Sequence, residues 1–275
     1  MNEIERFSKS KTGRVDDCED GIFVSDDFVG VIDGATSKSE RRFSSGSAGR
    51  KAMELMVEVL SGLAARATVD EFVSGATSRI ARFYTEGGLW DMVRAHPESR
   101  LTASAVVFSA YRRQLWFVGD CQALIDGRYV CFPKKVDSVV AEARAMFLNS
   151  RIRLGQTVEE LKAADAGRQF VMPLLVAQSV FQNAGGTSEY DYGVLDGFGV
   201  ASNHVMVVPV PEGAREIVLA SDGYPELGAT LAESEALLER QLLADPLCIS
   251  KFKSTKGLAL GAVSFDDRSY VRVSL

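Results

Sequence analysis

Histidine is almost absent from this chain, which has only two in 275 residues, and its four cysteines lie far apart. Zinc sites in proteins are built mostly from His and Cys ligands, and paired cysteines of the CxxC type are their usual signature. The sequence therefore argues against a zinc site. Isolated cysteines are typical of reduced thiols, which predicts a cytoplasmic protein.

Concentrated positive charge and long apolar runs are also missing. The chain has 37 acidic and 31 basic residues, for a formal net charge of -6, and no basic block stands out. This composition argues against nucleic acid as the main partner. No apolar run approaches the roughly 20 residues of a membrane span, and the first residues lack the apolar stretch of a signal peptide. We therefore expect no association with a membrane.

The sequence does contain enough apolar material for a large core. Hydrophobic residues make up 46% of the chain, and no repeat, low-complexity tract or linker divides it. We therefore expect a single domain over residues 1–275. Hairpin signals outnumber helical crossovers, which predicts an α+β fold of antiparallel sheet with helices packed outside.

Several local signals place individual elements. Apolar runs at 21–24 and 28–32 predict a hairpin, the pattern at 45–67 predicts a helix, and Asp126-Gly127 predicts a two-residue hairpin turn. Three Thr-x-x-Glu patterns predict helix starts, at Thr68, Thr157 and Thr230. Residues 134–165 read as helical, while 166–203 mix apolar segments with a Gly pair. The whole stretch 134–203 is interpreted as an insertion or flap.

Acidic residues fall repeatedly at the ends of predicted strands. Asp33, Asp120 and Asp222 each follow an apolar run. Asp266 precedes the last strand, and Glu19-Asp20 precede the strand at 21–24. A strand end is a stiff support that can hold a carboxylate in a shared cleft. Any one Asp-Gly at a strand end is more often a turn, so the prediction depends on their joint occurrence.

Carboxylates that converge repel one another and need a compensating positive charge. Hard oxygen ligands favour Mg²⁺ or Mn²⁺. Two such ions can share an aspartate, activate a water molecule and neutralise a phosphoryl group under attack. The pattern therefore predicts metal-dependent hydrolysis of phosphate monoesters.

The order of these motifs resembles that of the type-2C metal-dependent protein phosphatases, the PPM family. The resemblance covers nearly the whole chain from residue 14 onwards, and the Ala-Ser-Asp-Gly stretch is its most specific part. The stretches that carry it are Arg14-Val15 with Glu19-Asp20, VGVIDGAT at 29–36, LWFVGDCQALI at 115–125, IVLASDGYPEL at 217–227 and DDRSYVRV at 266–273.

The resemblance implies a four-layer α-β-β-α sandwich with a site for two Mn²⁺ or Mg²⁺ ions, and a third weaker ion, at one end. Each matching residue then has an implied role. Asp33 would bridge the two ions, and the Gly34 carbonyl would bind the second ion. Asp222 and Asp266 would hold the first ion, while Asp20 with Glu19 would act through water. Asp120 with Asp222 would hold the third ion, and Arg14 would bind the substrate phosphate. Asp267 is the alternative to Asp266.

One position departs from the family pattern. Many members have a His after the Asp-Gly, read as the general acid that protonates the leaving alcohol, and here Ala35 stands there. His96 lies in a predicted polar loop and is expected at the surface. Loss of a general acid costs about 10²–10⁴ in rate, most for poor leaving groups. We therefore expect aryl phosphates to be hydrolysed better than phosphoserine peptides.

Three functions remain open at this point. The first is a phosphatase acting on a phosphoprotein, at phosphoserine or phosphothreonine, or on a small aryl phosphate. The second is a weak or inactive phosphatase-like module that binds a phosphorylated partner, which the retained aspartates argue against. The third is an amidohydrolase with an N-terminal nucleophile, for which residues 1–13 offer no obvious cleavage point.

Overall fold

The computed structural model describes residues 1–36, 38 and 46–275. Within them, ten strands form two five-stranded antiparallel sheets. The strands are β1 (Asn2–Lys9), β2 (Asp20–Val24), β3 (Phe28–Gly34), β4 (Ala103–Ser109), β5 (Gln114–Val118), β6 (Gln122–Ile125), β7 (Arg128–Cys131), β8 (Met206–Pro209), β9 (Glu216–Ala220) and β10 (Arg268–Ser274). Sheet A has the order β1-β10-β9-β6-β7, and sheet B the order β2-β3-β4-β5-β8.

Helices accompany both sheets. The α-helices are α1 (Ala48–Ser61), α2 (Val69–Glu86), α3 (Trp90–Ala95), α4 (Lys135–Arg153), α5 (Val158–Ala164), α6 (Ala166–Ala177) and α7 (Leu231–Ala244), and short 3₁₀ helices cover Val15–Asp17, Pro97–Ser99, Gln178–Phe181 and Ser202–His204. Among the described residues, no helix combines the length and apolar character needed to cross a bilayer.

Strand β3 shows how the layers arise from the period of two in a strand. Val29 and Val31 pack between the two sheets, whereas Phe28 and Ile32 pack on the opposite face, against α1 and α2. All four are at most 1% exposed, and burying each contributes roughly 1.5–3 kcal/mol.

Sheet A is covered in the same way on its outer face, where Val218 of β9 and Tyr270 of β10 pack with Leu238 of α7. The layers therefore run α1/α2, sheet B, sheet A, α7. This confirms the predicted α-β-β-α sandwich.

The local signals at element ends are also confirmed. Thr68, Thr157 and Thr230 each cap a helix in a reciprocal capping box with the Glu three residues on. Asp126 and Gly127 both have positive φ, at 46° and 82°, as a tight hairpin between β6 and β7 requires.

Two regions differ from the sequence prediction. The sequence predicts no strand before residues 21–24, but Asn2–Lys9 form β1, which pairs with β10 at the edge of sheet A. The charged residues of β1 obscure the strand pattern, because an edge strand buries little side chain. The mixed pattern at 166–203 predicts an insertion and no helix, yet this stretch contains α6, which packs against α4. The predicted start of the first helix at 45 lies outside the described residues.

Candidate metal and phosphate site

The acidic residues predicted from strand ends come from both sheets. Asp33 lies near the end of β3, and Asp120 follows β5, both in sheet B. Asp222 follows β9, and Asp266 precedes β10, both in sheet A. One end of the sandwich thus brings together four carboxylates that are far apart in the chain.

Three of these acids form a compact group. Asp33, Asp120 and Asp222 each offer a carboxylate oxygen, and the three oxygens lie within 4.8 Å of one another. Gly119 contributes to this geometry, with φ at +85° and a backbone so close to Ser104 that an added Cβ would lie 2.2 Å from the Ser104 Oγ. The same Oγ donates a 2.7 Å hydrogen bond to Asp120 Oδ1.

Asp33 and Asp222 form no ion pair with a residue that the structure describes. Burial raises the pKa of both carboxyls well above the usual range, and the neighbouring carboxylates raise it further. Asp20 adds to this effect at Asp33, and Asp120 adds to it at Asp222. Such a pair favours either a shared proton or a bound cation.

Asp120 is in a different electrostatic state. Burial alone would raise the pKa of its carboxyl, but the Lys134 ammonium, 2.9 Å from Oδ2, lowers it below the ordinary value. Lys134 also lies 3.5 Å from Asp137. Asp120 is therefore held ionised, with Ser104 and Lys134 on its two oxygens.

Asp266 is neutralised in the same manner, and this bears on the choice between Asp266 and Asp267. Against the effect of burial, Lys256 lowers the pKa of the Asp266 carboxyl, and Lys11 lowers it further. Asp266 lines the cavity described below. Asp267 is 3% exposed and accepts the backbone N–H of Lys11 and of Glu19, each at 2.8 Å. Its position suits a structural role.

Glu19 and Asp20 lie behind the cluster. Glu19 Oε2 accepts a 2.6 Å hydrogen bond from Thr36, and Asp20 Oδ2 accepts one of 2.6 Å from Ser221. Both acids are buried, at 4% and 5% exposure. Asp20 is paired in register with Asp33 across β2 and β3, so its charge acts on the cluster from the neighbouring strand.

Gly34 ends β3 in a tight approach to α1. An added Cβ would lie 2.2 Å from the carbonyl oxygen of Gly49, and the Gly34 carbonyl oxygen in turn lies beside Gly49. The close packing requires glycine here. The predicted role of the Gly34 carbonyl as a ligand stays a prediction.

Arg14 lies apart from the carboxylates. Its side chain is 77% exposed and its Nε lies 3.5 Å from Asp17 Oδ2. It does not line the cavity around the cluster. This placement gives no support to the predicted role of Arg14 as a phosphate clamp.

A cavity of about 320 Å³ opens over the acids. Asp33, Asp120, Asp222 and Asp266 line it, and so do five basic side chains, Lys38, Lys134, Arg168, Lys253 and Lys256. The segment 134–203 forms much of its wall, through residues such as Arg168 on α6 and Tyr192. The predicted flap therefore lies beside the cluster.

The basic residues of the cavity were missed by the sequence interpretation. Lys and Arg are usually solvated surface residues, and nothing adjacent to Lys134, Arg168 or Lys256 in the chain distinguishes them from the other basic residues. One weak signal was available, because a group of buried acids requires positive charge and the chain has few histidines to supply it.

The position after Asp33-Gly34 is also part of this cavity. Ala35 lines it and donates its backbone N–H to Thr102 O at 2.9 Å. His96 lies elsewhere, with a 60% exposed side chain whose Nδ1 is 3.1 Å from Glu98. Neither of the two histidines lines the cavity.

Comparison with known proteins gives likenesses to solved structures only. No protein-family model matches the chain, and no curated protein is similar to it in sequence. The serine/threonine phosphatase PstP of Mycobacterium tuberculosis is 17% identical, with a TM-score of 0.48 and 98% and 97% of the two chains covered. Stp1 of Staphylococcus aureus is 12% identical, with a TM-score of 0.48 and 98% and 94% covered.

A second structure of PstP, of its catalytic domain with two manganese ions, is 13% identical, with a TM-score of 0.49 and 98% and 97% coverage. At these identities the roles of individual residues depend on this chain's own geometry.

The donor set fits a hard divalent cation. Every ligand atom in the compact group is a carboxylate oxygen, which suits Mg²⁺ or Mn²⁺ rather than zinc. Burial and the neighbouring carboxylates raise the pKa of the Asp33 and Asp222 carboxyls, and a cation bound between them would relieve this repulsion. Asp33, Asp120 and Asp222 are therefore the residues suited to hold such an ion.

Proposed function

We propose that this chain is a Mg²⁺- or Mn²⁺-dependent hydrolase of phosphate monoesters, acting on a phosphoprotein or on a small phosphomonoester. The observation that carries the proposal is the convergence of Asp33, Asp120 and Asp222 within 4.8 Å in a cavity that is also lined by basic side chains. Carboxylates alone suit a cation, and the basic side chains suit the anionic substrate that reacts beside it.

Different residues of the cavity would have different roles in such a reaction. Asp33 and Asp222 would hold the divalent ions, whose chemistry is to activate a water molecule and to stabilise charge on the phosphoryl group. Ser104 and Lys134 fix the Asp120 carboxylate in its ionised form. Residues of the 134–203 segment, among them Arg168 and Tyr192, form one wall of the cavity.

The direct test is the release of 4-nitrophenol from 4-nitrophenyl phosphate by the purified chain with Mn²⁺ or Mg²⁺. We expect turnover, and we expect EDTA to abolish it. Asp222→Asn should reduce turnover at least about 10–100-fold, which is the typical loss when a residue that hydrogen-bonds to a metal ligand is replaced. Asp26→Asn is the matched control, since Asp26 is exposed in the β2–β3 turn. Turnover that is unaffected by EDTA, or by Asp222→Asn, contradicts the proposal.

A further inference from the structure

The five basic side chains of the cavity fall into two classes. Lys134, Lys253 and Lys256 are paired with carboxylates, with Nζ 2.9 Å from Asp120, 2.7 Å from Glu142 and 2.5 Å from Asp266. Arg168 and Lys38 form no ion pair with any residue that the structure describes. Within the described part of the chain, these two cations of the cavity therefore have no ion-pair partner of their own.

Arg168 is held by hydrogen bonds and forms no ion pair with a described residue, although the charges of Asp266, Asp165 and Asp137 act on it from farther away. Its Nη1 donates to Thr255, at 3.2 Å from the carbonyl oxygen and 3.1 Å from Oγ1. Its Nε and Nη2 hydrogens make no hydrogen bond to the described part of the chain. Two anchoring bonds on one nitrogen leave the other edge of the guanidinium available, and that edge is the one able to grip two oxygens of a planar or tetrahedral anion.

The charges of the other cations of the cavity also act on Lys38. Burial lowers the pKa of its ammonium, and Lys134, Arg168 and Lys256 lower it further, to about 8. Cations that are partly removed from water and face one another raise the energy of the empty cavity. An anion placed between them removes this cost.

We propose that Arg168, assisted by Lys38, binds the phosphoryl oxygens of the substrate, the role that the family resemblance assigned to Arg14. The inference rests on the proposed phosphatase function and names the residues by which the site recognises its substrate. A phosphate monoester carries a charge of about −1.5 to −2 near neutral pH. Two unpaired cations match that charge.

The location of Arg168 gives the proposal a structural consequence. Arg168 lies on α6, inside the segment 134–203, whereas Arg14 precedes a 3₁₀ helix and its side chain is 77% exposed. The phosphate-binding group thus comes from the segment that walls the cavity.

The test uses inorganic phosphate as the probe and the full chain saturated with Mn²⁺. Isothermal titration calorimetry measures the Kd for phosphate, and steady-state kinetics measure KM and kcat for 4-nitrophenyl phosphate. We expect Arg168→Met to raise the Kd for phosphate about 10–100-fold, the usual cost of a hydrogen bond to a charged group. We expect KM to rise by a similar factor.

Three further variants make the result specific. Arg168→Lys keeps the positive charge but loses the two-pronged guanidinium. We therefore expect its Kd for phosphate to lie between those of wild type and Arg168→Met. Arg14→Met tests the competing assignment, and Arg153→Met, an exposed position at the end of α4, is the matched control. We expect both to change the Kd for phosphate by less than about twofold, within the scatter of surface substitutions.

A chemical measurement covers the case in which Arg168→Met fails to fold. Phenylglyoxal modifies accessible arginines in the wild-type chain, and peptide mass spectrometry reports the extent at each position. We expect phosphate to protect Arg168 and to leave Arg14 and Arg153 modified. An Arg168 that phosphate does not protect overturns the inference.

The two proposals fail in distinguishable ways. Normal turnover with an unchanged Kd for phosphate in Arg168→Met overturns the assignment of Arg168 and leaves the phosphatase function standing. Loss of phosphate binding in Arg14→Met instead transfers the role to Arg14. Phosphate that binds at Arg168 in a chain without turnover supports the binding site and contradicts the hydrolase.

Discussion

The Lys256 ammonium donates hydrogen bonds to both carboxylate oxygens of Asp266, with its Nζ 2.6 Å from Oδ1 and 2.5 Å from Oδ2. The Lys256 side chain is 21% exposed and that of Asp266 14%. An internal ammonium therefore already balances one of the four acids of the cluster. Asp33 and Asp222 lack such a partner among the described residues.

Replacing Lys256 should expose how much positive charge the cluster needs. We expect Lys256→Met to lower the free energy of unfolding of the metal-free chain by about 1–3 kcal/mol, below the value for a fully enclosed pair. Because the freed Asp266 carboxylate adds negative charge, Mn²⁺ should raise the Tm more in this variant than in wild type. Thermal unfolding with and without Mn²⁺ measures both effects.

The matched control is Lys251→Met, at an exposed lysine of the same loop. We expect its Tm to follow that of wild type with and without Mn²⁺. Equal stabilisation of Lys256→Met and wild type by Mn²⁺ would show that Asp266 lies too far from the ion for its charge to matter.

The fold was predictable to the extent that its signals are local. Alternating apolar strands, three capping boxes and the Asp126-Gly127 turn were all recognisable because each depends on residues close in sequence. Strand β1 was missed because an edge strand with charged residues resembles a loop. Helix α6 was missed because its Pro173 and mixed polarity weaken the helical pattern.

The acidic residues of the candidate site were predictable from the sequence, whereas its lysine and arginine residues were not. Asp33, Asp120 and Asp222 were recognisable because all three follow apolar runs, although any one of them alone is more often part of a turn. Lys134, Arg168 and Lys256 come from helices and loops that pack onto the site only in the folded chain. Their partners Asp120, Thr255 and Asp266 lie 14, 87 and 10 residues away in sequence, so no common spacing identifies them.

Asp266 and Asp267 should respond differently to the loss of charge. Asp267 holds the backbone N–H groups of Lys11 and Glu19, so Asp267→Asn removes charge-assisted hydrogen bonds and should destabilise the chain by about 1–3 kcal/mol. Its effect on Mn²⁺ affinity should be small. Asp266→Asn should weaken Mn²⁺ binding more than Asp267→Asn does, and should destabilise the chain less.

Urea unfolding and Mn²⁺ titration of the two variants side by side make this comparison. The reverse pattern, with Mn²⁺ binding lost in Asp267→Asn and retained in Asp266→Asn, would exchange the assigned roles.

Hydrolysis should depend strongly on the leaving group. Ala35 lines the cavity, at the sequence position where many members of the family that this chain resembles have a His. Neither His of this chain lines the cavity. We expect kcat to fall steeply as the leaving-group pKa rises across substituted aryl phosphates, and to fall further for phosphoserine peptides. Loss of a general acid typically costs about 10²–10⁴ in rate.

Ala35→His offers a gain-of-function check. If the new imidazole reaches the leaving oxygen, the slope of log kcat against leaving-group pKa becomes shallower. A wild-type chain that hydrolyses phosphoserine peptides as fast as 4-nitrophenyl phosphate would show that another group already donates the proton.

Phosphate binding should weaken at alkaline pH because of Lys38. Its ammonium, facing Lys134, Asp137, Arg168 and Lys256, has a pKa lowered to about 8, so it is charged at pH 7 and largely neutral at pH 9. We expect the Kd for phosphate of the Mn²⁺-saturated chain to rise between these values. Lys38→Met should start from a higher Kd and lack that step.

The same shift has a consequence for stability. Between about pH 8 and the ordinary lysine pKa of about 10.4, the unfolded chain binds more protons at Lys38 than the folded chain does. The contribution of Lys38 to the free energy of unfolding therefore rises with pH across this window. Urea unfolding of wild type and Lys38→Met without phosphate, at pH 7 and pH 9, isolates that contribution.

The account depends above all on Asp33, Asp120 and Asp222 holding a divalent cation together. Calorimetric titration of Mn²⁺ into wild type, Asp33→Asn, Asp222→Asn and the Asp26→Asn control measures this directly. We predict heat of binding in wild type and in the control, and an affinity at least 10–100-fold lower in each cluster variant. Mn²⁺ binding of wild-type strength in Asp33→Asn and Asp222→Asn would contradict the account.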